Sequence, residues 1–280
     1  MIFLKKITLK NLFIIFIGSF LFVASCENTF DPIQDKELKY YSIFGALDAL
    51  ADTQWVRVMP IADSLFLNSQ KPLNATVTLT RLSDDKKVTL HDSLFTYDNG
   101  VLAWNYWTDE PLYPKETYRL RVERPDGVFS EATTTLPDIF PEPEVTYSTN
   151  KEFGQVVLNG IDRLAAAQVN YRFFVRTGPT GETKVYFDMS IPHTNSLYEG
   201  ADGKMRFNIN DMLAIADSIK VSQSAINMVS RELIIAAAGP EWPDFKGFND
   251  FEIGLPSIQS NVINGQGVVA GIISRRRMLE

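Results

Sequence analysis

Thr117-Tyr118-Arg119-Leu120-Arg121-Val122-Glu123, the turn Pro125-Asp126-Gly127, and the return Val128–Thr135 decide the fold. Tyr118, Leu120 and Val122 alternate with Arg119, Arg121 and Glu123. Successive side chains of a strand point to opposite faces, so this stretch has one apolar face and one polar face. A proline-aspartate-glycine turn between two such runs predicts a hairpin. Working backwards, Ala75–Leu82 places Val77 and Leu79 on one face and Thr76, Thr78 and Thr80 on the other. Ser83-Asp84-Asp85-Lys86 turns it into a partner strand, Lys87–His91. Gln54–Ile61 alternates less cleanly, and Tyr40–Leu47 is a short apolar run. Period-two strands between frequent turns predict a β-sandwich over residues 38–137.

Leu136-Pro137-Asp138-Ile139-Phe140-Pro141-Glu142-Pro143 follows. Its prolines restrict the backbone and cannot feed a central ladder, so residues 138–144 read as a stiff linker. Residues 145–280 then read as a β-rich α+β domain. Gln155–Leu158, Val169–Arg176 and Lys184–Ile191 are strands, and Gly178-Pro179-Thr180-Gly181 joins the last two as a hairpin. The period then changes. Met212, Ile215, Ala216 and Ile219 fall at helical spacing after Asn210, a candidate N-cap. Ile226, Val229 and Leu233 predict a second short helix, closed by Gly239-Pro240. Val262–Ile273 reads as a glycine-punctuated strand, with Gly265 and Gly267 at a bend or bulge. Arg275-Arg276-Arg277 reads as a solvated basic tail.

At the other end, Lys5, Lys6 and Lys10 precede an apolar run, Leu12–Phe22, and then Val23-Ala24-Ser25-Cys26. The basic, apolar, small-residue order is that of an export signal, and the apolar run is short for a membrane span. Residues 1–25 read as a signal peptide cleaved between Ser25 and Cys26. Residues 26–37 read as a tether. Cys26 is the only cysteine, so no disulfide competes for its sulfur. The alternative is an ordinary signal ending near a buried cysteine. Removing residues 1–25 takes away three lysines and no acid, so the formal net charge moves from −7 to −10. An acidic chain lacks the basic surface that phosphate binding needs, which excludes nucleic acid as an expected partner.

The chain offers no catalytic constellation. Its two histidines, His91 and His193, lack a second ligand at metal spacing. No phosphate loop, nucleophile elbow or dinucleotide fingerprint occurs, and no metal or cofactor is expected. The aromatic cluster Trp104-Asn105-Tyr106-Trp107-Thr108-Asp109-Glu110 stands out. Trp104, Tyr106 and Trp107 are candidate ligand contacts, since flat rings beside amides and acids suit sugar rings. The competing reading sets Trp104 and Tyr106, two apart, in the sandwich core with Trp107 at its rim.

Three stretches carry a family resemblance: Val23-Ala24-Ser25-Cys26, Thr117–Val122 with Ala132-Thr133-Thr134-Thr135-Leu136-Pro137, and Ser260–Val268. With them the chain resembles the Bacteroidota outer-membrane lipoproteins that have an N-terminal immunoglobulin-like β-sandwich. The resemblance implies palmitate-type acylation of Cys26 and a cell-envelope location in the outer membrane. It also implies company with a TonB-dependent transporter. It supplies no catalytic residues. The expected function is therefore a lipid-anchored, non-enzymatic binding or accessory protein. A glycan-binding surface protein and a structural or adhesive subunit are the alternatives.

Overall fold

The computed structural model describes residues 39–61, 73–96, 100, 102–148, 153–178, 181–243 and 259–279. The signal segment, the tether, Ser25, Cys26 and the Pro179-Thr180 centre of the expected hairpin turn lie outside the described residues.

The deciding hairpin is present as read. Strands β7 (Thr117–Glu123) and β8 (Phe129–Thr135) pair antiparallel from Thr117↔Thr135 to Glu123↔Phe129. Arg124 N donates to Val128 O at 2.8 Å across the turn, and Gly127 takes φ 84° there, a conformation glycine adopts without Cβ strain. Strand β3 (Thr76–Arg81) pairs with the other side of β7 and with β4 (Lys87–Thr89). A short strand, β16 (Val262–Ile263), closes this five-stranded sheet against β8.

The five-stranded sheet covers part of a longer one. That sheet runs β12 (Thr183–Pro192), β11 (Leu164–Thr177), β15 (Ile226–Ala238), β17 (Gly265–Leu279), β1 (Tyr41–Asp48), β2 (Gln54–Pro60), β6 (Leu102–Thr108), β5 (His91–Thr96). A four-stranded sheet covers another part: β13 (Tyr198–Glu199), β14 (Met205–Ile209), β10 (Gly154–Leu158), β9 (Glu144–Tyr147). The molecule is mainly β, as the alternation predicted.

Two apolar cores result. Ile43, Val58, Leu79, Leu120, Val122 and Leu136 fill the first. Phe140, Phe173, Phe207, Ile215, Leu233 and Ile235 fill the second. Burying a side chain of this size contributes about 1.5–3 kcal/mol. Val269 lies in the first core and Ile273 in the second. They are four apart on β17, so both smaller sheets cover the same face of the long sheet.

The cores divide near residues 138–144, but the sheets do not. β17 pairs parallel with β1 (Tyr41↔Gly265 to Asp48↔Ile272) and antiparallel with β15 (Arg231↔Leu279 to Ala238↔Ile272). Leu38–Glu280 accordingly forms one compact unit. The proline segment is packed down rather than free. Phe140 is buried, and Arg275 Nε and Arg277 Nη1 donate to the carbonyls of Phe140 and Pro143 at 2.9 and 3.0 Å. Arg275-Arg276-Arg277 is thus part of β17, which corrects its reading as a tail. Glycine permits the close crossing at the junction. A Cβ on Gly271 would stand 2.6 Å from the Thr135 carbonyl oxygen, and one on Gly239 2.1 Å from it.

One helix, α1 (Met212–Ile219), forms where predicted and buries Ile215 and Ala216. Its N-cap is Asp211 rather than Asn210, and Lys220 ends it at φ 58°. The second expected helix is a correction: Ile226–Ala238 is β15. Its register against β11 jumps from Phe173↔Met228 to Arg172↔Ser230, leaving Val229 as the extra residue of a bulge. The bulge changes the parity of the core-facing positions, from Ile226 and Met228 to Leu233, Ile235 and Ala237. Apolar residues on both sides of a phase jump imitate helical spacing. Pairing on both edges then outweighs local propensity.

Candidate functional site

The face of the long sheet opposite the two cores has no covering sheet among the described residues, and its larger aromatic cluster lies at the β2–β6–β5 end. Alternation decides which residues arrive there. On β6, Tyr106 points inward and Trp107 outward. Register then sets Trp107 between Trp55 of β2 and His91 of β5. The Trp55 and Trp107 ring centroids are 6.1 Å apart at 36°, and His91 lies 4.8 Å from Trp107 at 40°. Trp55 meets Phe95 of β5 edge-on at 5.3 Å. Trp55 remains 43% exposed and Phe95 39%. The next cross-strand row is polar: Arg57, Asn105 and Ser93. Arg57 Nε donates to Asn105 Oδ1 at 3.4 Å.

The three aromatics singled out from sequence are therefore separated. Tyr106 is 3% exposed within the first core, where burial pushes its hydroxyl pKa up to about 12. Trp104 is half-buried against the same core. Both lie on the core side of β6. Trp107 alone belongs to the surface cluster, with partners the sequence reading missed. Trp55, two residues before Arg57 in an alternating strand, was the available signal. The distance between Trp55 and Phe95 along the chain hid the rest. Exposed rings beside the Arg57 guanidinium offer apolar contact and stacking for a ligand, while the buried Asn105 amide is held by Arg57 and the Ala103 carbonyl.

A second cluster is buried. The Tyr171 hydroxyl on β11 donates to Asp211 Oδ2 at 2.5 Å, and His193 Nε2, just after β12, meets the same oxygen at 2.9 Å. The His193 ring stacks on Phe207 at 4.7 Å. Burial, then the neighbouring carboxylate, raises the Tyr171 phenol far above its ordinary range. Ser196 completes a superficial likeness to a nucleophilic triad, with Oγ 3.4 Å from His193 Nδ1. Its hydroxyl is nearer the His193 carbonyl, at 2.9 Å, and both residues share one short turn. A proton donated to that carbonyl closes the turn instead of activating the oxygen. The cluster joins β11, the turn after β12 and the start of α1.

Open grooves of about 170, 400 and 420 Å³ lie elsewhere, beside Pro143 and Arg275, beside Tyr147 and Gln155, and beside Asn170 and Glu232. Among the described residues, no group of three or more His, Cys, Asp or Glu side chains is placed to hold a metal. No described helix is long and apolar enough to cross a membrane.

No family model and no curated protein matches the chain. Solved structures overlap it only distantly. A pullulanase from Anoxybacillus sp. LM18-11 is 8% identical with a TM-score of 0.23, over 71% of this chain and 24% of that one. The same enzyme complexed with maltotriose has the same values. A cytokine receptor complex is 7% identical with a TM-score of 0.27, over 70% of this chain and 90% of that one. This chain spans about a quarter of the pullulanase's length. Overlaps this weak establish neither a shared fold nor a shared activity.

Proposed function

We propose that this chain is a lipid-anchored, non-enzymatic binding protein of the cell envelope, held by acylated Cys26 and working beside an outer-membrane transporter. Its N-terminal half is of immunoglobulin-like type in this reading. The carrying observation is the exposed cluster of Trp55, Trp107, Phe95 and His91 on the sheet face opposite the two cores. A ring this exposed gains little for folding and is available to a partner. The signal-like N-terminus and the family resemblance support the membrane and transporter parts. Affinity purification of the full chain from detergent-solubilised envelope tests the reading. A TonB-dependent transporter should be enriched with the native chain and lost with Trp55→Ala/Trp107→Ala. Equal recovery with both chains, or no transporter with either, defeats it. The anchor is tested separately: Cys26→Ser should move the protein to the soluble fraction, and persistent membrane association contradicts it.

A second reading, glycan binding, draws on the rings standing next to Arg57. Retardation in gels containing polysaccharide, abolished by Trp55→Ala/Trp107→Ala, would favour it. Unchanged migration of the native chain across a polysaccharide panel would remove it.

A further inference from the structure

The long sheet ends in an open strand. β12 pairs with β11 through an unbroken antiparallel register, Gln168↔Pro192 to Thr177↔Thr183. No described strand occupies its other edge. An end strand leaves alternate N–H and C=O groups pointing outward, a template for another strand. Three of the usual defences, a bulge, an internal proline and an inward-pointing charge, are absent here. No bulge interrupts the register with β11, and proline appears only at the last position, Pro192. The core-side residues Val185, Phe187, Met189 and Ile191 are all apolar, so no charge points inward. Val185 is 39% exposed and Tyr186 53%.

The outward face of this strand carries two charges, Lys184 and Asp188, on either side of Tyr186. From this we infer that β12 pairs with β12 of a second copy of the chain, antiparallel about a two-fold axis at Tyr186. Two strands related by an axis perpendicular to the sheet keep each face on its own side, so the axis passes through one residue position. Placed at Tyr186, it sets Lys184 opposite Asp188 twice, Val185 opposite Phe187 twice, and Tyr186 opposite its own counterpart. Placed at Lys184 or Asp188, it sets like charge against like, which cross-strand pairing disfavours. The register is thus specified by charge as well as by apolar contact. Asp188 is free to take the new partner, since its 3.8 Å approach to Arg172 is between two strongly exposed side chains. The Lys184 ammonium already sits over the Phe174 ring, 4.8 Å from its centroid, and that ring packs against Tyr186. The product is a two-fold dimer whose long sheets join into one.

Sedimentation of the full chain in detergent tests this. The native chain should be dimeric. Asp188→Lys and Lys184→Asp should each weaken the dimer by roughly ten- to hundredfold, because each converts two attractive pairs into two repulsive ones. The double variant Lys184→Asp/Asp188→Lys should restore it. Tyr186→Cys should cross-link copy to copy under air oxidation, since opposed antiparallel residues lie within disulfide reach. A native chain that stays monomeric overturns the inference. So does a dimer indifferent to both single reversals, or one that the double variant does not restore.

Discussion

The two cores differ in what holds them. The first, around Leu79, Leu120 and Val122, is closed by aliphatic and aromatic side chains from two facing sheets. The second has comparable apolar packing around Phe173 and Phe207, but it also encloses Asp211 with Tyr171 and His193 bound to one carboxylate oxygen. Apolar packing tolerates imperfect fit, losing free energy in proportion to the cavity left. A buried carboxylate tolerates little, because every donor that loses it stays desolvated. Composition and alternation make the first kind of core. The second also needs three distant chain segments to meet at one atom.

That contrast can be broken most sharply at Asp211. Asp211→Ala should cost about 3–5 kcal/mol in urea unfolding, since it strands two buried donors. A loss below about 1 kcal/mol would erase the distinction between the cores. Leu120→Ala, in the first core, should cost about 2–5 kcal/mol, and the size should follow the cavity rather than any hydrogen bond. Tyr171→Phe keeps the ring and removes one bond to a carboxylate, so about 1.5–3 kcal/mol is expected. Alkaline pH probes both cores together. Tyr106 and Tyr171 have folded pKa values raised by burial, Tyr106 to about 12. An unfolded tyrosine titrates near 10. The contribution is therefore fully present below about pH 10 and is lost as pH rises through the folded values. Tyrosinate absorbance and unfolding should report this, and Tyr106→Phe should remove its share. The smallest effect belongs outside the cores: Trp55→Ala should change stability by less than about 1 kcal/mol. A larger loss would make the aromatic cluster part of the fold's support instead of a free recognition surface.

Local pairing was legible in the sequence where clean alternation flanked a recognisable turn, but not for the equally local β1–β2 and β5–β6 pairs. The β7–β8 and β3–β4 hairpins and the β11–β12 hairpin followed from alternation and turn residues alone. β15 was misread because the bulge at Val229 shifted its phase, and a bulge is fixed by a partner strand rather than by its own residues. The surface cluster was half legible. Trp107 was named, but with Trp104 and Tyr106, which alternation sends to the other face. Its actual neighbours, Trp55 and Phe95, are brought to it only by sheet order.

What the residues determined by themselves was a mainly β chain, its local hairpins, one helix, an acidic balance and a lone cysteine. These depend on side-chain period, turn chemistry and composition, all local quantities. What tertiary structure alone decided was that the chain leaves the five-stranded sheet after β16, at Asn264, and enters the long sheet as β17 between β1 and β15. Pairing between residues more than two hundred positions apart leaves no periodic trace in either segment. Its free energy comes from burial and hydrogen bonds that exist only once both strands are in place.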